Sequence, residues 1–208
     1  MASEKRVFDK TYEDYLDQLK KIELPLRAVR LGAEISGEEL IIPFYGKPFG
    51  VSGHGVRDPK GVKANFAVSV VLCKYVLCCP DIIHDQGEWV TYREFKDSGP
   101  LMSYFTSNTN KIIESTFTGD IKSLENACKQ TCGIPFKGSA LYDLSVKFYA
   151  LPKVPVILNF NDKDKEFPAK CLILFNETAE EYLDMECLAI TGTFLAGSLI
   201  QGAGRIST

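Results

Sequence analysis

Apolar residues at Phe8, Tyr12, Tyr15, Leu19 and Ile22 recur at steps of four and three, with Glu13, Asp17, Lys20 and Lys21 turned away. That spacing predicts an amphipathic helix, with Asp9 or Thr11 as its cap. Pro25 separates it from a short helical stretch, Leu26 to Leu31, which ends by Gly37. Leu40, Ile42 and Phe44, then Tyr45-Gly46-Lys47, then Phe49 and Val51 read as a β-hairpin, and Pro43 places it at a sheet edge. A glycine-rich loop from Ser52 to Gly61, centred on His54, leads to Lys63–Cys79. That run is apolar nearly all round, as in a buried helix, and Pro80 stops it.

The only Trp, Trp89, opens an extended stretch in which charges alternate with aromatics. With a period of two, Trp89, Thr91, Arg93 and Phe95 share one face, and Glu88, Val90, Tyr92 and Glu94 the other. Both faces are mixed, so the strand is expected to border a cleft as well as a core. Two helices follow, Leu101–Phe117 and Ile121–Cys132, the second capped by Asp120 and closed by Gly133. Leu141–Ala150 alternates as a half-buried strand, with Ser145 and Lys147 on its polar side. Val154–Phe160 and Cys171–Phe175 are apolar on both faces and should pair as antiparallel neighbours across the charged turn Asn161–Pro168. A turn of helix at Thr178–Leu183 precedes a last apolar helix, Glu186–Ile200, and a frayed tail after Gln201. The expected fold class is α+β: an antiparallel or mixed sheet of five to six strands, including the 39–51 hairpin, with helices mainly on one face.

Three stretches resemble one family. The run GEWVTYREF from Gly87, followed by Gly99-Pro100 and Tyr104-Phe105, is similar to the central motif of an uncharacterised family of anaerobic bacteria and archaea known as domain of unknown function 3786. LPKVPVILNFNDKDKEFPAKCLILFNETAEEYL, Leu151 to Leu183, resembles its "LP-x-VP" strand, charged turn and "LFD-x-SA-x-x-YL" segment, with Asn176 where the family pattern has Asp. IIPFYGKPFGV, Ile41 to Val51, resembles its "VPFFG" hairpin. The resemblance implies a fold and almost no chemistry. Relatives with an N-terminal iron-sulfur domain like that of corrinoid iron-sulfur proteins imply a link to corrinoid or one-carbon metabolism.

Composition narrows the field. The 208 residues, 45% hydrophobic, suffice for one globular domain with one core. A net charge of −3, without basic clusters, argues against nucleic acid. The charged N-terminus lacks a signal-peptide pattern, and Ala64–Cys79 is too short to span a bilayer and carries Lys74, so a cytoplasmic protein without membrane association is expected.

Candidate chemistry follows from residue type. Arg93 offers a planar fork to a carboxylate or phosphate, with Trp89 and Tyr92 as aromatic walls and His84 as lid or ligand. His84 and His54 are the only histidines; a loop histidine can ligate a metal or the axial position of a tetrapyrrole such as a corrinoid. Cys128 and Cys132, four apart on a predicted helix, could hold a soft metal together with Cys78, Cys79 or His84. Asp162, Asp164 and Glu166 lack the glycine and bidentate glutamate of a calcium loop and read as a solvated hairpin tip. No motif of triad, zinc-protease or phosphate-loop type is present. The leading expectation is a non-catalytic binding or accessory module for a small anionic ligand or a protein partner. The alternatives are an enzyme with Glu94 as acid or base and Arg93 as clamp, and an interaction subunit using Tyr104, Phe105 or the last helix.

Overall fold

The structure is a computed structural model describing residues 2–84, 87–137 and 141–204, with side chains from residue 10 onward. Helix α1 (Ala2–Leu19) begins before Asp9 and Thr11, which therefore lie inside it and not at its start. Helix α2 (Leu24–Leu31) ends well before Gly37, because Gly32 adopts a left-handed conformation and donates its N–H to the carbonyls of Ala28 and Val29. The freed chain forms strand β1 (Glu34–Ser36), followed by β2 (Glu39–Phe44), β3 (Lys47–Ser52) and β4 (Gly55–Arg57). These make a four-stranded antiparallel sheet in the order β1-β2-β3-β4.

The 39–51 hairpin thus belongs to a sheet of its own, whereas the sequence suggested one common sheet. Its flanks, a solvent-facing β1 and a strand hidden in the glycine-rich loop, carry too little apolar alternation to announce themselves. Pro43 lies beyond Ile41, the last residue of β2 that β1 reaches, so its missing N–H interrupts no ladder on that side. Tyr45, at the hairpin turn, joins the sheets: its N–H donates to Ala150 O and its hydroxyl to Thr191 O.

Helix α3 (Phe66–Leu77) starts at Asn65, whose side chain accepts from Val68 N. Strand β5 (Trp89–Thr91) follows, then a 3-10 turn (Tyr92–Glu94). A second 3-10 turn (Gly99–Leu101), α4 (Met102–Phe105), a π turn (Thr106–Asn110) and α5 (Lys111–Phe117) form the helical stretch expected at 101–117. Helix α6 (Ile121–Gln130) is capped by Asp120, as expected. Strands β6 (Ile134–Pro135), β7 (Leu144–Leu151), β8 (Val154–Asn161) and β9 (Lys170–Asn176) complete a second antiparallel sheet with β5, in the order β5-β9-β8-β7-β6. β8 and β9 pair as antiparallel neighbours, as read from the sequence. Helices α7 (Ala179–Tyr182) and α8 (Met185–Gly202) end the described chain.

The five-stranded sheet has two unlike faces. Val146, Phe148, Val156, Leu158, Phe160, Ile173 and Phe175 are buried on the inner face, in one continuous core with α3 and α8. Residues of opposite parity point outward: Lys147 and Tyr149 on β7, Pro155 and Ile157 on β8, Leu174 and Asn176 on β9, and Trp89 on β5. Asp164, at the β8–β9 hairpin tip, accepts the N–H groups of Glu166 and Phe167 in a solvated turn.

Candidate functional site

β5 and β6 lie at opposite margins of the second sheet, four strand intervals apart. In a flat sheet that is about 19 Å. Yet the Trp89 ring, from β5, meets the Phe136 ring, just after β6, edge-on at 6.0 Å between centroids. The sheet therefore curls enough for aromatics from its two margins to meet on its outer face. On that face, Ile157 and Asn159 are 1% and 5% exposed although they point away from the helices. Asn159 stays satisfied there because its Oδ1 accepts from Ser145 Oγ at 2.7 Å.

At one end of this hollow is a cavity of about 590 Å³. Trp89, Tyr149, Pro152 and Pro155 form its apolar walls, while Lys147, Lys153 and His84 are its ionisable lining residues; among the described residues no carboxylate lines it. The Lys147 ammonium lies 5.7 Å from the centroid of the Trp89 ring and 4.8 Å from that of Tyr149, within cation–π range of both. Among the described residues it has no ion-pair or hydrogen-bond partner, so two ring faces position a cation that no described acid neutralises.

The rim is held by hydrogen bonds among its polar side chains. Asn176 Nδ2 donates to Gly87 O at 2.8 Å, tying the entry of β5 to the end of β9. Its Oδ1 accepts from Thr178 N and Oγ1 at 3.1 and 2.7 Å. His84 Nδ1 lies 2.8 and 3.0 Å from the carboxylate oxygens of Glu181. A carboxylate only accepts, so Nδ1 carries the proton, and Nε2 is left for a ligand when the ring is neutral.

The residues read from sequence are only partly brought together. Trp89 and His84 line the same cavity; Arg93, Tyr92 and Glu94 do not. The expected strand from Trp89 to Phe95 stops at Thr91, where a capping box turns the chain: Glu94 accepts from Thr91 N and Oγ1 at 2.7 and 2.8 Å. Those bonds hold the Glu94 carboxyl below its ordinary value, opposite to what acid or base catalysis at this residue requires. Tyr92 turns inward instead of walling a cleft: it is 2% exposed, stacks on Phe105 at 4.4 Å and 7°, and donates to Met185 O at 2.8 Å. Burial pushes its phenol up to about 12. Arg93 is exposed on the turn. Phe105 is likewise buried, which removes it from any interaction surface, whereas Tyr104 is exposed.

Cys128 and Cys132 do not share a face. α6 ends at Gln130, and Cys132 takes a left-handed conformation (φ 60°) that packs its sulfur against Gly46. Cys128 stays in the core, where burial pushes its thiol up to about 12. Among the described residues, no group of three or more His, Cys, Asp and Glu side chains is placed to hold a metal ion. Nor is any described helix long and apolar enough to cross a membrane.

Sequence reasoning missed Lys147 and Tyr149 as partners of Trp89. The alternation of β7 puts Lys147 on a polar face, but only the strand order and the curl bring that face to Trp89.

No curated protein and no solved structure matches the chain significantly. The family model described as Domain of unknown function (DUF3786) matches residues 23–198, a span that contains both sheets and every residue lining this cavity, and the chain belongs to that family.

Proposed function

We propose that this protein is a non-catalytic binding or accessory module whose ligand, a small anion, sits in the cavity beside Trp89. One observation carries the reading: the Lys147 ammonium lies over both the Trp89 and Tyr149 rings, in a lining that has no carboxylate among the described residues. A cation positioned by apolar groups, with no acidic partner among the described residues, favours an anion that replaces water there. Trp89 and His84 keep the roles read from sequence, as wall and as rim ligand, and Lys147 takes the anchoring role first given to Arg93.

The resemblance to proteins of anaerobic metabolism suggests the biological setting, a link to corrinoid or one-carbon metabolism, with a tetrapyrrole as the alternative to a small anion. His84 suits one requirement of such a group. With Nδ1–H bound to Glu181, its Nε2 resembles a metal-ligating imidazole oriented by a carboxylate. Cys128 and Cys132 do not fit a soft metal, since one is in the core and the other on the surface. An enzyme acting on an anionic substrate has less support, because Glu94 is committed to its capping box.

The test is native mass spectrometry with an ultraviolet-visible spectrum, on protein purified anaerobically from its own host. The expected result is a small anion bound to the wild type and absent from Lys147→Met. A tetrapyrrole spectrum that disappears in His84→Ala would make the protein a cofactor carrier. Protein that carries nothing, with a Trp89 emission that Lys147→Met leaves unchanged, would contradict the reading.

A further inference from the structure

The cavity also limits what kind of anion it takes, an inference that rests on the binding reading above. Lys147 Nζ lies over ring faces, so an anion that reaches it brings its body alongside those rings. Tyr149 is 45% exposed, which leaves ring surface for such a body to cover. Pro152 and Pro155 add rigid apolar wall. A flat, conjugated body gains stacking with these surfaces beyond what its buried area gives, and a puckered saturated one does not.

Two polar side chains of the lining argue in the same direction. Asn176 Oδ1 accepts twice from Thr178, whose hydroxyl proton is thereby used, and one Asn176 Nδ2 hydrogen goes to Gly87 O. A polyhydroxylated ligand, such as a sugar acid, would leave its hydration shell and find few replacement bonds here. Among the described residues the lining also has no arginine fork. With Lys147 as a point charge, a carboxylate suits the site better than a phosphate dianion.

We infer that the ligand of this site is a planar, conjugated carboxylate, with its carboxylate on Lys147 and its ring system between Trp89 and Tyr149.

Titration calorimetry on the full chain with four probes tests this: naphthoate, its saturated analogue decalin carboxylate, neutral naphthamide, and gluconate. Naphthoate should bind at least about tenfold more tightly than each of the others, as expected for combined stacking and charge. Lys147→Met should lose about tenfold for naphthoate and nothing for naphthamide. Tyr149→Leu, which keeps an apolar side chain on an exposed strand position, should erase the preference for the flat acid over the saturated one. Equal binding of naphthoate and decalin carboxylate would overturn the planar-ligand inference and leave the anion site standing. Failure of all the acids to bind, or a Lys147→Met that binds them like wild type, would overturn the anion site itself.

Discussion

Truncating Tyr92 separates its role in the core from the ligand-wall role its place in the sequence suggested. The ring is 2% exposed and stacked at 4.4 Å on Phe105, and its hydroxyl reaches Met185 O, the first residue of α8. A buried aromatic removes about 150–250 Å² from water, which at about 25 cal/mol per Å² amounts to about 4–6 kcal/mol as an upper bound. Measured aromatic-to-alanine losses in cores run to about 3–5 kcal/mol, and we expect Tyr92→Ala to cost about 4. For a chain of this length that lowers Tm by about 8–16 °C. Tyr92→Phe keeps the stack and deletes the hydroxyl, so it should cost about 1 kcal/mol. Urea unfolding followed by far-ultraviolet circular dichroism measures both. A Tyr92→Ala variant that loses less than about 1 kcal/mol yet no longer binds an anion at Trp89 would refute the reasoning and return Tyr92 to the site.

Three other outcomes are expected. Burial pushes the Asp184 carboxyl up, but hydrogen bonds from Cys187 N and Lys74 outweigh it and hold the pKa below its ordinary value. Its stabilising effect is therefore complete above about pH 5 and lost as pH falls through the native pKa. Asp184→Asn should cost about 0.5–1 kcal/mol at neutral pH, after allowance for the exposed part of the pair, and the deficit should vanish in acid; a pH series of Tm values checks this. Gly192→Ala would drive a methyl group into the Phe105 ring and Thr109 Oγ1, and thermal melts should show a loss of about 1–3 kcal/mol. A thiol reagent on native protein should label Cys132 first and Cys78 second, because partly desolvated surroundings raise the Cys78 thiol; the five buried cysteines should wait for unfolding, as peptide mapping over time would show.

Much of the fold was legible because its long elements carry clean periods. β7, β8 and β9 alternate or are apolar throughout, and α3 and α8 are apolar on most sides, so the sequence places all five within a few residues. Short elements were not. β4 is three residues inside a run of glycines, and β1 is exposed along its whole length, so neither has a hydrophobic signature. The stretch from Trp89 to Phe95 misled for a different reason. Period two was extrapolated through Thr91-Tyr92-Arg93-Glu94, where the threonine and the glutamate three residues later form a capping box that turns the chain. Alternation is a property of straight backbone, and Tyr92 and Phe95 both enter the core once it bends. Cys128 and Cys132 failed alike, because helical spacing was carried past the end of the helix. Trp89 and His84 were singled out by their types and proximity, and they line one cavity. Their partners Lys147 and Tyr149 lie more than fifty residues away and meet Trp89 only through strand order and sheet curl, which no local pattern encodes.

Because Trp89 is the only tryptophan, a two-dimensional proton–nitrogen NMR spectrum holds a single indole cross-peak from the centre of the proposed site. Titrating labelled protein with naphthoate should shift that peak together with the backbone amides of Lys147 and Tyr149. The same titration on Lys147→Met should need about tenfold more naphthoate to shift the indole and Tyr149 peaks equally. Shifts that gather around His54 and Ser52, in the separate depression near the end of α1, while the indole peak stays fixed, would contradict the account.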